Sequence, residues 1–380
     1  MADYDFLAPT FDIAVNGESL PSEFRDAVLI SEYESCLDMA DKGRVVFADP
    51  ALLLLDDPRL LPGSTIDHYF GYGGSLGAGA EWVGRSVVRK YNPSLMIEEI
   101  STLELTGYDG SFKLMEQGGG GRIFGTPEKG MTYSEIVEEI AYFHGMQPTV
   151  DAVTAPEVKI VHKAEDTDFQ LIASLAAQKG FEFSVAWSDQ AQTWVLTWGE
   201  PAATTQLDSF EFVFDPRAGS GVALKNIELD LSLQQLKSGV SVDYFDRSKM
   251  TWERMEIEET GTKMKFVNKD KIEESLEDAA SFRLSFEEKA IEVVPAQKFN
   301  SAEEAYDWAQ HWYRKRKNEL IIAQGTTIGL PTLMAGQVHT IKGVGNLLTG
   351  DYLFASVKHK WGSSGYSCDF VARKILKDSV

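Results

Sequence analysis

Six histidines and two cysteines are the side chains in this sequence best suited to bind a metal or to pair as base and nucleophile. The histidines are scattered along the chain, at positions 68, 144, 162, 311, 339 and 359. None lies at the i, i+4 spacing of a helical zinc pair, and Cys36 and Cys368 stand near opposite ends of the chain. The spacing predicts structural histidines and no metal site.

Carboxylates can act as general acid and base only where two of them meet in space. The adjacent pair Asp56 and Asp57, in "LLDDPRLLPG", would face opposite ways on an extended chain. No elbow motif signals serine–histidine–aspartate or cysteine–histidine chemistry. We therefore expect no catalytic residues, no cofactor and no enzymatic activity.

Two glycine-rich stretches invite comparison with phosphate-binding loops. The first, "GYGGSLGAG" at 71–79, lacks the G-x-G-x-x-G register. A strand pattern follows it, so no helix N-terminus is available for a phosphate. The second is a run of four glycines at 118–121. We expect a hairpin tip at the first stretch and a hinge or loop at the second.

The composition argues against several classes of partner. The chain has 380 residues, with 58 acidic and 36 basic side chains and a formal net charge of −22. Surfaces that grip nucleic acid or anionic lipid place lysines and arginines against phosphates, so we expect neither. The longest apolar run, "ALLLL" at 51–55, is far shorter than the ~20 residues of a membrane span. The two distant cysteines and the absence of a signal-peptide pattern at "MADYDF" indicate folding in a reducing compartment.

The period of the apolar residues divides the chain. Short alternating stretches separated by glycine, proline and asparagine predict a first β-barrel over 1–111. Between 112 and 206 the period becomes helical. "TYSEIVEEIAYFHG" begins with a capping box of Thr132 and Glu135, and "TDFQLIASLAAQKG" begins with one of Thr167 and Gln170. These two helices predict a small α/β domain.

Strands return after position 206 and predict a second barrel over 207–245 and 322–380. A charged insertion over 246–321 interrupts it and ends in a tryptophan-containing helix, "SAEEAYDWAQHWYRKRKNE". The strands "EWVGRSVVRKY" and "DYLFASVKHKW" both place valine among basic residues and end on an aromatic residue. This faint repeat predicts two related barrels. The expected fold class is mainly β (α+β).

The C-terminal segment resembles a known family. "GLPTLMAGQVHTIKGVGNLLTGDYLFASVKHKWGSSGYSCDFVARK" is similar to the end of phage late control protein D and related contractile-tail baseplate hub proteins. The stretch "DTDFQLIASLAAQKG" resembles the helix-to-strand segment of the same family. The resemblance gives a structural role to Asp166, Asp168, Phe169, Gly180, Gly329, Pro331, Gly336, Gly343, Gly350, Tyr352, His359, Gly365 and Tyr366.

The resemblance implies a structural hub protein of a contractile tail or injection system. Such hubs form a trimeric ring in which each subunit carries two barrels similar to the tail-tube subunit. Three subunits would thereby adapt a sixfold tail tube to a threefold central spike. The α/β domain would brace the barrels.

The same resemblance implies the partners and the location. The partners would be two further copies of the chain, the central spike protein and the tail tube or tube-initiator protein, with the tape measure and baseplate wedge proteins as further candidates. Type VI spike proteins fuse such a hub to a spike. This chain stops after the second barrel, so a separate spike protein is expected. The protein would be assembled in the bacterial host cytoplasm and located in the virion baseplate or an injection particle.

The residues alone leave two other classes open. A glycan hydrolase and a carbohydrate-binding module can both be built on a β-rich scaffold. The mass of the protein in solution and any turnover of glycan would separate these classes from a hub. Phage, pyocin-like and other injection particles are not distinguished by the sequence.

Overall fold

A computed structural model describes residues 8–37, 39–73, 79–97, 99–116, 122–125, 130–152, 160–161, 167–179, 181–199, 209–215, 220–231, 239–246, 251–258, 291–297, 302, 305–306, 308–310, 312–313 and 320–375. The first part of the chain is almost entirely strand. It contains β1 (Pro9–Val15), β2 (Glu18–Ser19), a short helix α1 (Ser22–Asp26), β3 (Val28–Cys36), β4 (Lys42–Ala48), a 3₁₀ turn (Pro58–Leu60), β5 (Thr65–Tyr72), β6 (Ala80–Ser94) and β7 (Thr102–Tyr108). A turn at Asn16 and Gly17 joins β1 to β2, and both residues have the positive φ that such a turn requires.

Helices and short strands alternate in the middle of the chain. The elements are α2 (Phe112–Met115), β8 (Ile123–Phe124), α3 (Tyr133–Phe143), β9 (Gln147–Val150), β10 (Ile160–Val161), α4 (Asp168–Lys179), β11 (Glu182–Ser188) and β12 (Thr193–Gly199). Both predicted capping boxes are confirmed. Thr132 and Glu135 bond to each other's backbone N–H at the start of α3, and Thr167 and Gln170 do the same before α4.

The last part of the chain returns to strands. They are β13 (Glu211–Val213), β14 (Val222–Leu231), β15 (Gly239–Asp246), β16 (Thr251–Glu258), β17 (Ile291–Gln297), β18 (Ile321–Ile328), β19 (Val338–Lys342), β20 (Gly350–Gly362) and β21 (Gly365–Lys374). The predicted mainly β fold is confirmed.

One 13-stranded sheet runs through both ends of the chain, in the order β19-β13-β14-β18-β21-β20-β3-β4-β7-β6-β5-β1-β2. A further pairing of β19 with β20 closes six of these strands into a barrel. Strand β20 is shared, because Gly350–Leu353 pair with β19 and Ser356–Trp361 pair with β3. The two halves of the sheet therefore cannot be separated without breaking strand pairing.

The two halves of the sheet have the same strand order. With β2 left aside, each half has six strands, counted from first to sixth along the chain. From β3 to β1, the strands of the first half lie in the order second, third, sixth, fifth, fourth and first. The second half has the same order when it is followed around its closed barrel from β14 to β13. The fifth strands, β6 and β20, are the ones in which the sequence repeat was found. Two differences remain: β13 is parallel to its neighbours whereas β1 is antiparallel to β5, and described pairings close only the second half.

The apolar core follows this continuity. A single cluster of buried side chains extends from the first half, with Phe11, Val45 and Phe70, into the second half, with Phe354 and Phe370. A separate cluster fills the α/β unit between α3, α4 and the strands β9, β11 and β12. Packing thus unites the two halves of the sheet and leaves the α/β unit with a core of its own.

The charged insertion differs from the prediction at its N-terminal boundary. Residues 239–245 were assigned to the second barrel, but β15 pairs with β16 and β17 in a separate three-stranded sheet. The helical residues Ala305, Trp308 and Ala309 pack on this sheet. Alternation identifies a strand but does not say which sheet receives it. The other domain boundaries stay predictions, and residues 259–290 of the insertion lie outside the described residues.

Candidate functional site

Three residues of the family motif meet at the junction of the two halves. The Tyr366 hydroxyl lies 2.8 Å from His359 Nδ1, and His359 Nε2 lies 2.8 Å from the Leu333 carbonyl. Since a carbonyl can only accept, Nε2–H donates to it and Nδ1 accepts from the tyrosine. His359 is fully buried, and burial lowers its pKa to about 4. This histidine is neutral and structural.

Gly329 completes this cluster because it leaves room for the Tyr366 ring. A Cβ atom at Gly329 would lie 2.0 Å from a carbon of that ring. The Gly329 carbonyl accepts a hydrogen bond of 3.1 Å from Tyr72 on β5, in the other half of the sheet. The Phe70 ring, also on β5, stacks on His359 at 6.0 Å and on Tyr366 at 5.3 Å. The motif residues therefore hold the two halves together.

The remaining motif positions do not gather at one place. Gly336, Gly343, Gly350 and Gly365 have φ values of +87°, +78°, +149° and +91° and form turns between the last strands. The buried Tyr352 donates to the Leu348 carbonyl at 2.6 Å. Pro331 is buried in the connection after β18. Asp166 and Gly180 lie outside the described residues.

Buried histidines of β5 and β19 lie on equivalent strands of the two halves. His68 is flanked by the hydroxyls of Ser31 and Ser86, at 3.4 and 3.2 Å. His339 accepts from the Phe210 N–H at 3.1 Å and lies 3.0 Å from Gln337 Oε1. Burial lowers the pKa of His68 to about 3 and that of His339 to about 4. Both histidines are thus buried and hydrogen-bonded within the protein.

Asp168 is the motif residue that holds the α/β unit together. Its side chain is fully buried, and its two oxygens bind different partners. Arg122, next to β8, donates to Oδ1, while His144 Nε2, at the end of α3, lies 2.6 Å from Oδ2. Burial opposes ionisation of Asp168, but these bonds to His144 and Arg122 outweigh it and lower its pKa. Phe169 packs its ring on Phe183 at 5.0 Å and so joins α4 to β11.

The α/β unit rests on the first half of the sheet through aromatic contacts. Arg85 of β6 forms two bonds of 2.7 Å with the buried carboxylate of Asp67. The same guanidinium lies 4.1 Å from the centre of the Trp187 ring on β11. Trp194 packs against Gly110, where a Cβ atom would lie 2.6 Å from the ring. These contacts join the α/β unit to the first half of the sheet.

An acidic cluster that the sequence analysis missed lies where the chain leaves β7 for the α/β unit. Tyr33 donates to Asp41 at 3.0 Å, and the Asp109 N–H donates to the Asp41 carbonyl at 3.1 Å. Burial raises the pKa of Asp41 to about 6 and that of Asp109 further above its usual range. The residues are separated by the whole of β4 to β7, so no local motif could reveal them.

The one close cysteine–histidine contact noted in the described residues does not form a reactive pair. Cys368 Sγ lies 3.4 Å from His359 Nδ1, but both residues are fully buried and Nδ1 already accepts from Tyr366. Burial raises the pKa of Cys368 to about 12. The described part of the chain contains no group of three or more histidine, cysteine, aspartate or glutamate side chains placed to hold a metal ion.

An outer polar face crosses the junction on the side of the sheet opposite the core. It consists of Glu32, Glu34, Arg44, Glu104, Lys358, Lys360 and Asp369, and it contains two adjoining clefts of about 310 and 250 Å³. Arg44 bonds Glu104 at 2.8 Å and Glu32 at 3.3 Å, and Lys358 reaches Glu32 at 3.2 Å. Further along, Lys360 pairs with Asp369 at 2.9 Å. Charges on this face are therefore largely compensated.

This arrangement of strands is shared with solved tail proteins. A tail protein from Neisseria meningitidis MC58 matches at 10% identity with a TM-score of 0.66, over 97% of this chain and 96% of that one. The 43 kDa tail protein of prophage MuSo2 from Shewanella oneidensis matches at 14% identity and 0.66, over 97% and 98%. The chain has the fold of phage tail proteins. The predicted resemblance is thus confirmed at the level of the fold.

A type VI secretion component shares this tail-protein fold. The E. coli c3393 protein, described as structurally similar to the T4 tail proteins gp27 and gp5, matches at 12% identity with a TM-score of 0.58, over 96% of this chain and 77% of that one. No protein-family profile and no curated protein sequence matches the chain. Within the described residues, no helix has the length and apolarity needed to cross a bilayer.

Proposed function

We propose that this protein is the structural hub subunit of a contractile-tail or injection-system baseplate. The observation that carries the proposal is the repeated strand order within one continuous sheet. A chain with two equivalent β units can present six such units from three copies, which is the number needed to join a sixfold tube to a threefold spike. The tail-protein fold supports the same role.

We further propose that the protein acts as a homotrimer with the central spike and the tail tube or tube-initiator protein as partners. It would be located in the tail baseplate of a virion or in an injection particle, after assembly in the host cytoplasm. The division into a first barrel, an α/β bracing domain and a second barrel with an insertion belongs to this proposal. The cation–π contact between Arg85 and the Trp187 ring supports the bracing role.

The outer polar face fits the lining of a channel through such a ring. Its basic side chains form ion pairs with neighbouring strands, so a passing polymer meets few uncompensated charges. A surface of this kind offers weak, reversible contacts.

The proposal is tested by mixing the purified chain with the spike protein of the same particle. Light scattering should show a complex of three hub and three spike chains. A stable dimer, or a monomer that binds neither spike nor tube protein, would contradict the hub.

We also propose that the role is not enzymatic. In the carboxylate cluster, Asp109 is buried and Asp41 is partly buried and bonded to Tyr33, which restricts the access of a glycan. Purified protein should therefore release no product from peptidoglycan or soluble glycans. Hydrolysis that disappears on a single carboxylate substitution would overturn this part of the proposal.

A further inference from the structure

Three loops of the first half of the sheet meet at one end of its strands. Antiparallel pairing brings the end of β4 and the end of β6 beside the start of β7. The Asp49 N–H donates to the Ser101 carbonyl at 2.8 Å and ties the β4–β5 loop to the β6–β7 loop. The third loop, residues 16–27, connects the end of β1 to the start of β3, and both of these strand ends lie at the same end of the sheet.

Large apolar side chains project into solvent from this end. We call Leu52, Leu53, Leu95, Met96, Ile97 and Ile100 the apolar loop surface; they are between 38% and 104% exposed. Large apolar side chains exposed together on neighbouring loops often mark a site of protein–protein contact. By contrast, Leu54, which directly follows Leu53 in the sequence, is only 3% exposed. The exposure is therefore selective.

Bonding within the loops holds these side chains outward. The buried Asp49 carboxylate accepts from the N–H groups of Leu53, Leu54 and Leu55, at 2.8, 3.1 and 2.9 Å. Leu52 has a φ of +58°, a left-handed conformation that is unfavourable for leucine. Backbone strain of this sort is retained mainly where the surrounding structure or a function requires it.

The second loop is fixed in the same manner. The Ser101 hydroxyl accepts from the Met96 N–H at 3.2 Å and lies 3.4 Å from the Met96 carbonyl. This bridge closes the loop that carries Leu95, Met96 and Ile97. Because both loops are held in place before any partner arrives, binding would cost little ordering of the backbone.

The charge around the apolar loop surface is strongly acidic. The three connecting segments 16–27, 49–64 and 95–101 contain eight acidic and two basic residues. Both bases are engaged, since Arg25 pairs with Asp12 and Arg59 with Asp57. Asp56 and Glu99 are exposed beside the apolar side chains. Two such surfaces facing each other would place acid against acid, which disfavours a symmetric contact between copies.

We propose that the apolar loop surface is the docking site for a different protein, whose own surface is apolar at its centre and rimmed by lysine and arginine. The apolar side chains would supply the buried contact, and the acidic rim would steer and orient the basic partner. The inference rests on the proposed hub function, because it assigns one surface of the hub to one of its unlike neighbours in the particle.

The test measures binding of the full-length chain to the tail tube protein and to the spike protein of the same particle, each purified. The double variant Leu53→Ser, Ile97→Ser should weaken binding to one of the two by at least about tenfold and leave the other unchanged. Charge reversal by Asp56→Lys and Glu99→Lys should slow association with that same partner. Met39→Ser is the matched control, since Met39 is 65% exposed at the opposite end of the same strands.

The possible results separate the two proposals. If the wild-type chain binds neither tail protein, the hub function itself fails, together with this docking site. If it binds them and the double variant binds equally well, only the docking site is overturned. If light scattering shows self-association that the double variant abolishes, the occupant is a second copy and the proposed partner is wrong.

Discussion

Gly329 shows how a single residue of the motif acts on the whole junction. Its missing side chain lets the Tyr366 ring lie against the backbone, so that the tyrosine hydroxyl reaches His359 and the ring reaches Phe70. The hydrogen bond of Tyr366 to His359 and the contact of its ring with Phe70 therefore depend on this one position. The sequence indicated that the residues belong together but not that they meet the other half of the sheet.

Substitution of this glycine should be costly for a steric reason. Gly329→Ala forces a methyl group into the Tyr366 ring, and we expect the free energy of unfolding to fall by about 1–3 kcal/mol. Gly362→Ala is the control, because its Cβ atom would meet only the Leu29 carbonyl, at 3.5 Å. Urea unfolding of both variants measures the difference. Equal stability of the two variants would contradict the steric account.

The buried histidines should make stability depend on pH. Burial lowers the folded pKa values of His68, His339 and His359 to about 3, 4 and 4, below the 6.5 of an unfolded histidine. Between pH 6.5 and 4 the unfolded chain therefore binds more protons at these sites, and stability falls as the pH is lowered. Each histidine contributes about 1.4 kcal/mol per pH unit within this window.

Asp41 acts in the opposite direction over part of the same range. The pKa of Asp41 is raised from 3.8 to about 6 in the folded chain. Between these pH values the folded chain binds more protons at Asp41 than the unfolded chain does. The stabilisation that Asp41 contributes is therefore lost as the pH rises through 6. His68→Gln should make the dependence of stability on pH shallower by about one proton, and Asp41→Asn should make it steeper. Urea unfolding at pH 4.5 and 6.0 tests both signs. Unchanged slopes in the two variants would show that these groups do not titrate as described.

Helices and strands were the level at which sequence reasoning worked best. The capping residues of α3 and α4 and the apolar stripes of both helices follow from local spacing, and the structure has them where they were predicted. Strand β15 was assigned to the wrong sheet because period-two alternation is identical for any sheet with one buried face. The acidic cluster of Asp41 and Asp109 could not be predicted, since chain topology alone brings its members together.

The α/β unit should lose stability when Asp168 loses its charge. Asp168→Asn removes the anion that two elements share and leaves Arg122 and His144 without their carboxylate, at a cost of about 3–5 kcal/mol. The exposed pair Asp243–Arg254 is the control, and Asp243→Asn should leave the free energy of unfolding nearly unchanged. Hydrogen exchange should rise in α3 and α4 and stay unchanged in β20 and β21. Protection that is retained in both helices would contradict this role of Asp168.

At the scale of the molecule, the shared strand β20 couples the two halves. Its first residues close the second barrel, and its last residues pair with β3 of the first half. The buried core is continuous across the same boundary. A hub built in this way would carry two equivalent units at a fixed distance, which a flexible linker between independent barrels could not provide.

This coupling predicts that the two halves unfold together. Val45→Ala in the first half and Phe354→Leu in the second both remove fully buried apolar groups, at a cost of about 1–3 kcal/mol each. If the sheet is one cooperative unit, each variant should lower the same calorimetric transition and raise hydrogen exchange in both β4 and β21. The opposite result is a rise in hydrogen exchange only in the half that carries the substitution, while a second calorimetric transition stays at the wild-type temperature. That result would show that the halves are independent domains. The continuous hydrogen bonding from β4 through β3 and β20 to β21 is the physical reason to expect one transition, since neither half can melt without leaving one edge of β3 or of β20 without its partner strand.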